Sequence, residues 1–177
     1  YAPHFLSLKA SDFTDLPSED QIRQIRREVF QDNAVLDWMK TKGINSNWDM
    51  VYLVFSGQLF LILKRLFAID ADRVKEILQR PITEESVRKL GNWIKQEDLS
   101  FTPSYDRFIS LFEGESLEKH ELLIYFNRLA EKWFGCSTSQ FSRNSALWEL
   151  GQSVYQEWYL GAKRYEQTEV QSARNQR

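Results

Sequence analysis

The sequence predicts an all-α fold, an irregular bundle of about seven or eight helices packed around a central apolar helix over 50–69. Three observations carry this. Apolar residues recur at three- and four-residue steps along most of the chain, and cap and stop signals punctuate that recurrence. No run alternates apolar with polar residues as a half-buried strand would, and no Asn-Gly or Asp-Gly hairpin signal occurs. No internal repeat at solenoid periods breaks this picture.

Taken in order, residues 1–16 carry Pro3 and no sustained period, so they read as an arm tethered by Phe5, Leu6, Leu8 and Phe13. A single helical domain is expected over 17–165. Ser18-x-x-Gln21 has the capping-box pattern and starts a helix bearing Ile22, Ile25 and Val29. Its pattern continues from Asn33 to Lys42 through Val35, Leu36, Trp38 and Met39 until Gly43. Ser46-x-x-Asp49 supplies the next start. The stretch from Val51 to Ile69 is apolar on nearly every face, the pattern of a helix surrounded by others. Its longest apolar run, Met50 to Leu63, is shorter than the ~20 residues of a membrane span, so no transmembrane segment is expected.

Asp70 or Asp72 can cap a short helix with Val74, Ile77 and Leu78 on one face, ended by Arg80-Pro81. Thr83 caps another, with Glu84 and Glu85 in its first turn and Val87, Leu90 and Ile94 as its buried stripe. The pattern lapses over 96–104, where Pro103 intervenes, and a subdomain seam is expected there. Tyr105 to Phe112 reads as a short helix. Ser116 then caps a helix to Phe134 with Leu122, Phe126, Leu129 and Trp133 on one stripe, closed by Gly135. The last helix runs from about Ser145 to at least Tyr165, and 166–177 reads as a frayed tail.

Composition narrows the function. Net charge is −2 with both signs interleaved, so no bulk field gathers polyanions, and nucleic acid is disfavoured as a partner. Cys136 is the only cysteine, which excludes an intrachain disulfide and multi-cysteine metal clusters and suits a reducing, cytoplasmic setting. His4 and His120 are the only imidazoles, so no metal site and no cofactor are expected, and triads based on His lack parts. A thiol just past a helix C-terminus, as Cys136 is, faces the negative end of the dipole and loses reactivity. Phosphate loops, dinucleotide fingerprints and nucleophile elbows are absent. Glu84 and Glu85 read as helix-start acids, so the expectation leans away from an enzyme while leaving scattered carboxylates open.

What stands out is a 14% aromatic content, with six Trp, seven Tyr and twelve Phe, because each ring must be packed or given to a partner. Along the last helix, Leu147, Gly151, Val154, Trp158, Gly161 and Tyr165 form one seam, and Trp148, Tyr155, Tyr159 and Ala162 a second strip beside it. Trp148, Tyr155, Trp158, Tyr159 and Tyr165 are therefore the candidate partner-binding residues. The leading expectation is a non-enzymatic interaction, regulatory or adaptor domain that binds another protein or itself. One alternative is a groove for a pigment, lipid or other planar apolar molecule. The other is nucleic-acid association through an anion-binding set of Arg23, Arg26, Arg27, Lys64 and Arg65. For these cations solvated ion pairing and dipole complementation are the competing roles.

Overall fold

A computed structural model describes residues 31–101 and 104–160, with Asp20, Arg23, Gln24 and Arg27 ahead of them, and side chains as far as Tyr155. The expected arm over 1–16, the Ser18 capping box and the tail over 166–177 lie outside the described residues. The described residues form eight helices and no strand. They are α1 (Ala34–Thr41), α2 (Asn47–Phe67), α3 (Ala71–Leu78), α4 (Glu84–Gln96), α5 (Tyr105–Ser110), α6 (Lys119–Leu122), α7 (Tyr125–Phe134) and α8 (Ala146–Leu160).

Helix α2 is the axis: α3, α5, α7 and α8 all pack against it, as its all-round apolar sequence requires. It is long and apolar enough to cross a membrane by length and composition alone, but 67% of its apolar window is buried in the bundle. The interruption Ser56-Gly57-Gln58 has a packing reason at its centre. A Cβ on Gly57 would stand 2.7 Å from the Phe108 ring, so α5 comes this close to α2 only where α2 has no side chain.

The aromatic surplus goes first into this core. Phe60 of α2 has ring centroids at 5.5 Å from Phe126, 5.3 Å from Trp133, 5.1 Å from Phe134 and 5.9 Å from Phe141. Through Phe126, 5.7 Å from Phe112, the ring contacts continue to Trp38, Phe108, Phe112 and Tyr125, with Trp38 at 5.0 Å from Phe112. Edge-on and tilted geometries of this kind add attraction beyond the buried area.

Asp70 and Thr83 cap as the sequence suggests, Ser46 and Ser116 do not, and Ser104 adds a cap not expected from the sequence. Asp70 accepts from the Arg73 N–H at 3.0 Å, Thr83 and Ser86 form a capping box, and Ser104 accepts from the Arg107 N–H. Gly43, Gly114 and Gly135 take the left-handed backbone that ends or breaks elements. In α4 the buried stripe is Val87, Leu90 and Trp93, with Ile94 only half-buried; the Arg73 guanidinium lies 4.1 Å above the Trp93 ring.

Two helices are interrupted where the sequence suggested continuity. Gln31 and Asp32 both have positive φ, 41° and 58°, and this left-handed pair stops the ladder, so α1 begins afresh after Asn33. The helix expected from Ser116 to Phe134 instead starts after Glu118, whose N–H is accepted by the Glu121 carboxylate at 2.9 Å, and breaks at Leu123-Ile124. There the Asn127 N–H bonds the carbonyl of Ile124, and the Tyr52 hydroxyl of α2 donates to the Leu123 carbonyl at 3.1 Å. The tertiary bond replaces the one the helix gives up.

The segment expected as a seam, 96–104, closes α4 with Asp98 at φ 48° and the Leu99 N–H on the Ile94 carbonyl. Arg65 of α2 then donates to the Ser100 carbonyl at 3.0 Å.

Candidate functional site

Helix α8 carries the candidate partner-binding residues, and its position follows from its first turn. Ser145 caps it, accepting from the Trp148 N–H at 3.1 Å. Leu147 and Trp148 are buried, and Trp148 packs on Tyr52 with ring centroids 4.9 Å apart. Two turns on, Tyr155 meets Trp48 edge-on at 5.1 Å, and its hydroxyl accepts from the Asn47 amide at 3.3 Å. As α8 advances from 148 to 155 its partners on α2 recede from 52 to 47, so the two helices run antiparallel.

Trp148, expected on a strip available to a partner, is thus a core residue, with the Arg143 guanidinium 5.5 Å above its ring. Leu147 and Gly151 of the adjacent seam are buried with it, so α2 and its surroundings cover both strips in the first half of α8. Tyr155 is half-buried. The helix continues through Leu160, but the side chains of Trp158 and Tyr159 and all of Tyr165 lie outside the described residues.

The basic residues are divided among different partners. Arg23 and Arg27 are exposed on a helical segment, while Arg26 lies outside the described residues. The Lys64 ammonium sits 3.7 Å from the centre of the Trp133 ring, and Arg65 combines its bond to Ser100 with a position 5.4 Å from Phe101.

Sequence reasoning missed the main polar feature of the interior. Asp49 is fully buried, and both its oxygens are held at 2.7 Å by Nη2 of Arg143, with Nε adding a contact at 3.3 Å. Lys119 approaches to 3.5 Å. The start signal Ser46-x-x-Asp49 marks the right place but the wrong bond, since Ser46 makes no side-chain cap and Asp49 reaches across to the chain before α8. Only the presence of a carboxylate beside so apolar a run could have hinted at it.

Groups able to do chemistry are engaged in structure. Cys136 is buried, and burial pushes its thiol up from its ordinary value, opposed in part by Lys75; Sγ lies 3.9 Å from the Lys75 carbonyl. Glu84 and Glu85 pair with Arg88 and Lys89 at 2.6 and 2.8 Å along α4. His120 is exposed and stands 3.8 Å from Glu118. Among the described residues no group of three His, Cys, Asp or Glu side chains is placed to hold a metal ion.

The fold defines the chain as an all-helical bundle with an aromatic core. No protein-family model and no curated protein matches it. Among solved structures it resembles an X-ray structure of a Northeast Structural Genomics Consortium target, with 31% identity and a TM-score of 0.72. The match covers 89% of this chain and 40% of that one, so the chain spans two fifths of its neighbour's length. The neighbour's description names no function.

Proposed function

We propose that the chain is a non-enzymatic interaction domain, regulatory or adaptor in kind, that meets another protein or a second copy of itself along the far end of α8. The observation that carries this is the overhang of α8. Tyr155 stands opposite Asn47, the first residue of α2, and α8 continues to Leu160. At ~1.5 Å per residue the remainder extends about 7.5 Å past the start of its main support. Trp158 and Tyr159 belong to that remainder, and large rings with a polar tip suit the centre of a protein interface. The buried thiol of Cys136 and the paired Glu84 and Glu85 favour binding over catalysis. A reducing, cytoplasmic setting fits the same thiol.

The test is a Trp158→Ala, Tyr159→Ala double variant, checked for fold by circular dichroism. Sedimentation across a concentration series reads self-association, and affinity capture against quantified proteins of the native source reads other partners. Loss of one of these associations with the fold retained supports the reading. A folded variant that associates as the wild type does overturns it.

A further inference from the structure

The far half of α2, at the opposite end from Tyr155, walls a pocket of about 340 Å³ that the interaction reading does not use. Leu61 and Ile62 lie three and four residues after Gln58, and Arg65 four and three after them, so the four share one face of α2; Phe101 and Arg107 close the pocket from the other side. Its chemistry is one-signed. Lys64, Arg65 and Arg107 line it, no carboxylate does, and none of the three makes an ion pair among the described residues. Gln58 is only 6% exposed, and its amide nitrogen is buried without a hydrogen-bond partner among the described residues. A buried donor left unpaired destabilises a fold; this nitrogen has almost no accessible surface, so an acceptor in the pocket beside it reaches it once the Gln58 amide turns toward the pocket.

We propose that this pocket binds a small organic oxyanion, a phosphate or carboxylate carried on a flat apolar body. The Arg65 and Arg107 guanidinia take the anion, since their planar forks suit both groups, and Gln58 donates from beside them after its amide turns outward. Leu61, Ile62 and Phe101 receive the apolar body. The Ser100 carbonyl fixes Arg65 in advance, which lowers the ordering cost of binding. The volume lies near the lower end of ordinary ligand pockets, which selects a small molecule over a polymer.

The experiment is titration of the intact chain with adenosine 5′-monophosphate, with benzoate and with inorganic phosphate, followed by calorimetry and by the side-chain amide resonances of Gln58. Saturable binding of one ring-bearing anion, tighter than inorganic phosphate and shifting the Gln58 amide signals, supports the proposal, and the better of the two names the anion. Arg107→Gln, an exposed position, is expected to weaken that binding about tenfold or more while leaving the fold intact. Gln58→Leu is expected to weaken it while holding or raising stability. No saturation by either ring-bearing anion up to millimolar concentration overturns the proposal, as does binding unchanged in folded Arg107→Gln. Binding seen only with a single-stranded RNA homopolymer, falling steeply with salt, overturns it in favour of a nucleic-acid surface.

Discussion

Arg143 grips the fully buried carboxylate of Asp49 at 2.7 Å although its own side chain is half in solvent, so one partner of this pair is desolvated far more than the other. The bond ties the chain just before α8 to the first turn of α2. Removing Arg143 leaves a buried carboxylate with Lys119 at 3.5 Å as its remaining cation. Arg143→Ala is expected to destabilise by about 2–3 kcal/mol, below the usual cost of breaking a wholly buried pair because Arg143 is exposed. Urea denaturation measures it. Asp49→Leu with Arg143→Leu should recover most of the loss, and a double-mutant cycle showing no coupling would refute the account.

Gly57 is where α2 admits the Phe108 ring. Gly57→Ala puts a methyl 2.7 Å from that ring, which is itself buried, and should destabilise by about 1–3 kcal/mol despite the better helix propensity of Ala. Phe108→Leu in the same chain should make the added methyl cheaper. A Gly57→Ala protein as stable as wild type would show that α5 yields freely.

Burial pushes the Tyr52 phenol well up, and burial followed by the Glu115 carboxylate raises that of Tyr125, from an ordinary value of 10.0. A raised acid keeps its proton longer folded than unfolded. The stability it contributes is therefore complete below the ordinary value and declines as pH rises above it. Urea midpoints should fall between about pH 9 and about pH 11, and Tyr52→Phe should fall less steeply while losing about 1 kcal/mol at neutral pH with its bond to Leu123. Equal alkaline slopes in the two proteins would contradict this.

Cys136 is buried with its thiol pushed up, so the thiolate is scarce and shielded. Labelling by an aromatic disulfide reagent at neutral pH should run on the order of tenfold slower than for a free thiol peptide. Denaturant should restore the peptide rate. Fast stoichiometric labelling of the native protein would be the contrary result.

Much of the fold is legible along the sequence because local physics sets it: Asp70 and Thr83 cap where they should, and the apolar run of α2 is buried. The breaks at Gln31-Asp32 and Leu123-Ile124 are not legible. At the second, Tyr52 lies 71 residues from the carbonyl it satisfies, and no local pattern encodes that meeting. Trp148 fails for the same reason, since a ring on an amphipathic helix looks alike whether it faces Tyr52 or a partner. Lys64 and Arg65 are visible as cations and Gln58 shares a face of α2 with Arg65, but Arg107 joins them only through the packing of α5 against α2.

The coil between α7 and α8 has the composition of a loose loop, yet Asn127 holds Phe141 at both ends of its peptide links. The Asn127 amide donates to the Phe141 carbonyl at 2.8 Å and its oxygen accepts the Phe141 N–H at 3.0 Å, as a neighbouring strand would. Thr138 is moored to the Leu78 carbonyl, and the Phe141 ring touches Phe60. A segment without a helical turn of its own is therefore bolted to three helices. In hydrogen exchange the Phe141 amide should report the global opening of the domain rather than local fraying, and proteases should find no cleavable hinge beside it.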